Sequence, residues 1–102
     1  MGEITFYKLS SYAEDDVSSI YDYTVAEHGK DQATKYLMRL EESLTGIIDF
    51  PESGHKRSEI RQGLRSIIYQ HHIIFYRLHD DYIRIVRILH KSSDLPRFLQ
   101  DI

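Results

Sequence analysis

The sequence has 102 residues and a net charge of −3, and its 41% hydrophobic and 28% charged residues are typical of one folded domain rather than a disordered chain. It contains no cysteine, which excludes disulfide bonds and thiolate zinc sites, and no apolar run approaches the roughly 20 residues that cross a bilayer. The first ten residues show no secretory pattern, so we predict a single cytoplasmic domain over residues 1–102.

The first half of the chain predicts a short strand followed by two helices. Apolar and polar residues alternate over residues 3–8, as in a strand. Ser11 and Glu14 form a capping-box pattern, so we expect the first helix to begin near Tyr12; Gly29 follows its predicted end at His28.

The second helix has the clearest periodicity in the sequence. Its apolar residues recur at spacings of three and four: Ala33, Leu37, Leu40, Leu44, Ile47 and Ile48. Pro51 forces Phe50 out of helical geometry and should end the helix. Very few residues separate the two helices, so we expect an antiparallel hairpin.

The last forty residues predict a three-stranded meander over residues 64–69, 72–78 and 82–89, which are rich in Val, Ile, Tyr and Phe. The connections are short, so neighbouring strands should be antiparallel. A helical turn with Asp94 as N-cap and Pro96 in its first turn follows. The order β-α-α-β-β-β predicts an α+β fold, in which one helical hairpin packs on one face of an antiparallel sheet.

Basic residues are concentrated in the second half of the chain. Residues 1–50 carry four basic and ten acidic side chains, whereas residues 51–102 carry nine basic and six acidic ones, and seven of those nine are arginines. Such a half suits an acidic protein segment or a nucleic-acid backbone, and a solvated sheet face accounts for this small surplus equally well.

Strict alternation along the last strand would place an arginine on each face of the sheet. One face would carry Arg84, Val86, Ile88 and His90, and the other Ile83, Ile85, Arg87 and Leu89. A half-buried arginine needs a carboxylate or several carbonyl groups, and Glu59, Asp94 and the helix acids are the candidates. We favour such an internal ion pair for Arg87.

A metal-free ribonuclease is the catalytic hypothesis that these residues allow. His90 would act as base or acid, and Arg65, Arg84 and Lys91 would stabilise the phosphate. The structural alternative for His90 is a hydrogen bond to Asp94 or to backbone at the end of the strand. No metal site is expected from the adjacent His71 and His72, since successive strand side chains point to opposite faces.

The chain contains eight tyrosines, more than the predicted core can hold. Tyr12, Tyr23 and Tyr36 lie on the predicted helices and are candidates for a protein interface, because exposed aromatic residues often mark one. For each of them, a ring that lies along its helix with a solvated hydroxyl is the structural alternative.

Three segments in order resemble the ParE family within the RelE/ParE toxin superfamily. The helix–Gly–Gln-Ala–helix pattern is matched by Gly29, Gln32 and Ala33. The Pro-x-x-Gly…Gly-x-Arg pattern is matched by Pro51, Gly54, Gly63 and Arg65. The C-terminal pattern is matched by His72, Ile74, Tyr76, Ile83, Arg87, Leu89, His90 and Asp94. Ser93 departs from the pattern, since many relatives carry Met there.

The resemblance implies the predicted fold with the first strand beside the last. It implies a toxin of a type II toxin–antitoxin system that inhibits or poisons DNA gyrase by binding, with no catalytic residue, cofactor or metal. A ParD-like antitoxin would neutralise it by folding onto it, and specific DNA binding would come only through that complex. The alternatives are a RelE-like ribosome-dependent mRNA endonuclease and a non-toxic relative that only binds an antitoxin.

Overall fold

A computed structural model describes residues 2–102 of the chain. Eight elements follow one another: β1 (Phe6–Leu9), α1 (Ser11–His28), α2 (Lys30–Asp49), β2 (His55–Lys56), β3 (Leu64–Tyr69), β4 (His72–Leu78), β5 (Tyr82–His90) and α3 (Leu95–Leu99). The strands form one sheet in the order β1-β5-β4-β3-β2, with the first strand beside the last. The predicted α+β class and the helical hairpin are confirmed.

Two features of the sheet differ from the sequence expectation. β1 pairs with β5 in parallel, so the sheet is mixed, while the β5-β4-β3-β2 pairs are antiparallel. β2 has two residues and pairs with the beginning of β3. A strand that short has no periodicity to detect, and the direction of β1 depends on a partner more than 70 residues away.

The cap of α1 is one residue earlier than predicted. Ser10, not Ser11, is the N-cap, and its hydroxyl oxygen accepts a hydrogen bond from the Ala13 N–H at 3.0 Å. The same hydroxyl donates to the Val86 carbonyl at 2.6 Å, and the Ser10 N–H donates to Ile85 O. These contacts with β5 fix where β1 ends, which decides between two adjacent serines that are equally good caps.

The main core lies between the helical hairpin and the sheet. Ala33, Leu40, Leu44 and Ile47 of α2 are buried, as the periodicity predicted, and Leu37 and Ile48 are partly buried at its margin. α1 contributes Ala13 and Ile20, and the strands contribute Ile74, Tyr76, Ile83, Ile85 and Ile88. Gly29, with φ of +88°, is the single residue between the two helices.

The opposite face of the sheet carries a second, smaller core. Leu99 of α3 packs there with Leu64, Ile73, Phe75, Val86 and Leu89. The predicted alternation along β5 is wrong, because a β-bulge shifts the register opposite Phe75 and Tyr76. Val86 therefore packs in the second core and Ile88 in the first.

Within residues 2–102, no helix is both long enough and apolar enough to cross a membrane.

Candidate functional site

An open groove of about 890 Å³ runs between the helical hairpin and one end of the sheet. Its walls come from α1, α2, the β3–β4 turn and the end of β5, and Phe98 of α3 also lines it. Tyr23, Tyr36, His72 and His90 line it, so it collects several of the residues that the sequence singled out.

The Arg87–Asp16 ion pair joins β5 to α1 beside this groove. Arg87 donates two hydrogen bonds to the Asp16 carboxylate, from Nε at 2.9 Å and from Nη2 at 2.8 Å. The two side chains are only 11% and 12% exposed, and the hydrogen bonds to Asp16 raise the pKa of Arg87 above its ordinary value. The internal ion pair predicted for Arg87 is confirmed, and among the predicted candidates its partner is a helix acid, Asp16, and not Glu59 or Asp94.

The same ion pair is connected to the backbone on both sides. Asp16 also accepts the Ile88 N–H at 2.9 Å, and Arg87 Nη1 donates to the Phe98 carbonyl at 3.0 Å. The Arg87 guanidinium lies 5.2 Å from the Tyr12 ring and 5.6 Å from the Phe98 ring. One guanidinium thus holds α1, β5 and α3 together.

Three histidines that line the groove, His71, His72 and His90, contact one another. His72 Nδ1 and the Tyr36 hydroxyl are 2.6 Å apart, and the His72 ring contacts the His90 ring edge to face, with centroids 5.3 Å apart. Burial, and to a smaller extent the neighbouring His90 and His71, lower the pKa of His72 to about 4. His72 is therefore neutral at pH 7, and burial raises the pKa of Tyr36.

His90 itself is exposed at the end of β5. Its Nδ1 lies 3.1 Å from the Ser92 N–H, which donates to it, and 2.7 Å from the Ser92 hydroxyl. The backbone partner near the strand end is thus found at Ser92, and Asp94 is not the partner. Asp94 is the N-cap of α3, as predicted, but its side chain makes no cap hydrogen bond.

Arg65 and Tyr76 hold the loop that follows α2. The buried Tyr76 hydroxyl donates to the Pro51 carbonyl at 2.8 Å and accepts the Gly54 N–H at 2.9 Å. Arg65 Nη1 donates to the Glu52 and Gly54 carbonyls at 3.1 and 3.0 Å. A Cβ at Gly54 would lie 2.5 Å from the Tyr76 hydroxyl, so only glycine fits there.

Gly63, the second glycine of the motif, precedes β3 and has φ of +84°. This left-handed conformation favours glycine at that position as well. The motif residues Gly54, Gly63, Arg65 and Tyr76 therefore have structural roles in the loop between α2 and β3.

The four residues of the ribonuclease hypothesis do not lie together. His90 and Lys91 are neighbours, and the Lys91 N–H donates to the His71 carbonyl at 2.8 Å. Arg84 lies six residues earlier on β5, about 20 Å away along an extended strand. Arg65 of β3 pairs with Tyr76 of β4, whereas His90 of β5 pairs with His72 of β4. Tyr76 and His72 are four positions apart, so Arg65 and His90 are separated by about 13 Å along the strand direction.

The three tyrosines proposed for an interface differ in exposure. Tyr12 and Tyr23 are 51% and 66% exposed, whereas Tyr36 is half-buried against Tyr69 and His72. Tyr12 and Tyr23 are eleven residues apart, which places them on one stripe of α1 that includes Asp16. Phe98 is 41% exposed at the same groove, and sequence reasoning missed it because α3 is short.

No group of three or more His, Asp or Glu side chains in the described part of the chain could hold a metal ion.

The fold matches a solved structure of a toxin–antitoxin system. A chain of the chromosomal ParDE system from P. aeruginosa superposes with a TM-score of 0.73, at 21% identity, over 86% of this chain and 96% of that one. A likeness at this identity supports the class of fold, a small α+β domain.

Sequence comparison is more specific. The family model of the ParE toxin of the type II toxin–antitoxin system parDE matches residues 7–95. Toxin ParE1 of Mycobacterium tuberculosis is 35% identical over 94 residues, covering 91% of this chain and 96% of the relative. Toxin ParE1 of Caulobacter vibrioides is 31% identical over 88 residues, covering 86% and 91%. Toxin ParE of Escherichia coli is 31% identical over 100 residues, covering 96% of each.

The chain belongs to the ParE toxin family. It is the toxin component of a type II ParDE toxin–antitoxin system, and such a system includes an antitoxin partner.

Proposed function

We propose that this protein stops growth in the cytoplasm by binding DNA gyrase, either inhibiting the enzyme or trapping it while DNA is cut, with no catalysis of its own. The observation that carries the proposal is the dispersal of the candidate catalytic groups. Arg65 donates to loop carbonyls, Arg84 lies at the far end of β5, and only His90 and Lys91 are adjacent. Phosphate cleavage needs an acid, a base and cations within hydrogen-bond reach of one phosphate.

A ParD-like antitoxin completes the proposal. Its C-terminal segment would fold onto the groove, and its N-terminal part would supply specific DNA binding. The support is the exposed aromatic rings of Tyr23 and Phe98, which line the groove, since rigid aromatic side chains at a partly apolar cleft are typical anchors of protein interfaces.

The gyrase proposal is tested with purified toxin, gyrase, ATP and negatively supercoiled plasmid, quenched with detergent and protease. Linear DNA above a toxin-free control, suppressed by antitoxin, is the expected result for a poison, and reduced supercoiling without linear DNA is the result for an inhibitor. Normal supercoiling with no linear DNA would contradict both. Growth arrest without a gyrase effect would then leave the ribonuclease, and no growth arrest would leave a non-toxic relative.

A pair of variants separates the gyrase mechanism from the ribonuclease. His90→Gln keeps a polar group beside Ser92 and removes the imidazole, so a binding toxin should retain its gyrase effect. His28→Gln, on the exposed end of α1, is the matched control for loss of a surface histidine. Loss of growth arrest in His90→Gln alone, with antitoxin binding intact, would contradict a non-catalytic mechanism.

The ribosome-dependent endonuclease is the second candidate, and one observation favours it. The exposed His90 ring stacks on His71, with centroids 6.1 Å apart and planes within 12°, next to Lys91. This gives an imidazole pair with a cation at an open groove. Cleavage of mRNA on ribosomes, lost in His90→Gln and retained in His28→Gln, would support it.

The antitoxin site is tested by the exposed rings. Tyr23→Ala should weaken the complex by about tenfold or more, because truncation of an aromatic anchor at an interface commonly costs over 1 kcal/mol. Met38→Ala is the matched control, since Met38 is equally exposed on α2 and does not line the groove. Equal binding by both variants in calorimetry would place the antitoxin elsewhere.

A further inference from the structure

Three cationic side chains lie side by side across neighbouring strands, away from the groove. The β1–β5 register pairs Lys8 with Arg84, and the β5–β4 register pairs Arg84 with Arg77. Adjacent strands are about 4.8 Å apart, so the row spans about 10 Å at right angles to the strands. We call these three residues the cationic row.

The cationic row lies on the face opposite the helical hairpin. Each member has sequence neighbours on both sides that pack in the main core, and successive strand side chains alternate between faces. The flanking core residues are Tyr7 and Leu9, Ile83 and Ile85, and Tyr76 and Leu78. The row therefore points away from α1 and α2, and Lys8 and Arg84 are exposed.

Most other arginines of the C-terminal half are used inside the protein. Arg57, Arg61, Arg65 and Arg87 each donate hydrogen bonds to protein oxygens at two or more sites. Arg77 makes one such bond, from Nη1 to the Gln62 carbonyl. Within residues 2–102, Arg84 and the Lys8 ammonium have neither a hydrogen bond nor an ion pair to a side chain; Lys8 lies only over the Phe6 and Tyr82 rings.

Such an arrangement is unfavourable in the free protein. Like charges directly opposite each other on neighbouring strands repel, and here Arg84 has a cation on both sides. An anionic partner would relieve this repulsion and fill the free donors of Arg84 and Arg77, which suit carboxylates in particular.

We propose that the cationic row is a docking site for an acidic helix of a protein partner. Carboxylates at positions i and i+4 of a helix are about 5–6 Å apart, close to the spacing of adjacent strands. A helix that crosses β1, β5 and β4 with Glu or Asp at i, i+4 and i+8 would therefore place one carboxylate over each cation.

The aromatic rings beside the row favour a protein over a nucleic acid. Phe6 stacks on Tyr82 and Tyr82 on His79, with centroids 5.5 and 4.5 Å apart, so the Tyr82 ring already has two stacking partners within the protein. Single-stranded nucleic acids bind by stacking bases on open rings.

Nuclear magnetic resonance titration of the full-length protein tests the proposal with defined probes. The first probe is an alanine-rich helical peptide of about 16 residues with Glu at i, i+4 and i+8. The second is its isomer with Glu at i, i+2 and i+5, which spreads the charges around the helix. The third is an oligothymidylate of the same charge.

The first peptide should shift the amide resonances of Lys8, Arg77 and Arg84 and bind about tenfold more tightly than its isomer. The variant Lys8→Gln/Arg84→Gln should lose that preference, whereas Lys30→Gln/Lys56→Gln, which removes the same charge elsewhere, should keep it. Equal binding of both peptides, or loss of the preference in the control, would overturn the proposal. Tighter binding of the oligothymidylate to the same resonances would overturn it in favour of nucleic acid.

A second measurement needs no ligand. Arg84→Gln removes the repulsion and should raise the melting temperature of the free protein by about 2 °C or more. A lowered melting temperature would mean that Arg84 stabilises the fold, and the proposal would fail.

Discussion

The two faces of the sheet are covered in different ways. On one face, the 18 residues of α1 and the 20 residues of α2 bury a continuous core of aliphatic side chains. On the other face, the five-residue α3 and the adjoining chain cover a smaller cluster around Phe75 and Leu99. Burial of apolar area is thus the main source of stability on the first face, and the second has much less of it.

Arginine hydrogen bonds compensate on the second face. Arg61 donates to the Ile102 and Gln100 carbonyls at 3.1 and 2.9 Å, and Arg87 donates to the Phe98 carbonyl. These bonds attach the C-terminal backbone, which buries little apolar surface of its own. The arginine-rich composition of the C-terminal half is therefore explained largely by these hydrogen bonds, which attach the C-terminal segment to the sheet.

Truncation of one leucine on each face measures the difference directly. Leu40→Ala should lower the free energy of unfolding by about 4 kcal/mol, because two long helices cannot collapse into the cavity. Leu99→Ala should cost about 2 kcal/mol, because the short α3 can move inward. Urea unfolding gives both values, and an equal or larger loss for Leu99 would contradict the comparison.

Removal of the charge at Asp16 tests the Arg87–Asp16 ion pair, through which α1 on one face of the sheet is joined to α3 on the other. Asp16→Asn leaves the nearly buried Arg87 guanidinium without its carboxylate, so we expect a loss of about 3 kcal/mol. Asp15→Asn, on the exposed side of the same turn, should change stability by less than about 0.5 kcal/mol. A double variant with Arg87→Met should recover part of the loss, and no recovery would mean that Asp16 acts mainly on the Ile88 N–H.

The Tyr76 hydroxyl holds the loop after α2 by hydrogen bonds to backbone groups, as the arginines do on the other face of the sheet. Tyr76→Phe leaves the Gly54 N–H and the Pro51 carbonyl without their partner and should cost about 1–2 kcal/mol. Tyr82→Phe, with a partly exposed ring that makes no such bonds, is the control. Equal stability of Tyr76→Phe and the wild type in thermal unfolding would show that the loop is held by Arg65 alone.

The smallest expected effect is a pH dependence at the groove end of the hairpin face. The pKa of His72 is about 4 in the fold and about 6.5 in the unfolded chain, so between these values the unfolded chain binds more protons. The contribution of His72 is fully present above pH 6.5 and is lost as the pH falls toward 4. Because His72 is only half-buried, we expect about 1 kcal/mol between pH 7 and pH 5. His72→Gln should remove this difference, and an unchanged slope in urea unfolding would assign it to other groups.

The candidate site was predictable in its parts but not in its arrangement. The sequence singled out Arg87, His90 and the helix tyrosines, and the structure brings all of them except Tyr12 to one groove. No pattern in the sequence favoured Asp16 over other acids as the partner of Arg87, since Asp16 and Arg87 are 71 positions apart in the chain. Arg65 was grouped with His90 by chemistry, whereas the strand register places it at the loop after α2.

The sequence by itself determined what depends on near neighbours. The spacing of leucines defined α2, glycines marked the ends of helices and loops, and β-branched runs defined the meander, because these preferences act within a few residues. Only the tertiary structure decided which of two serines caps α1, that β1 runs parallel to β5, and where the bulge divides Val86 from Ile88. Each of those outcomes is fixed by a hydrogen bond or packing contact between distant segments, and no local pattern records such a contact.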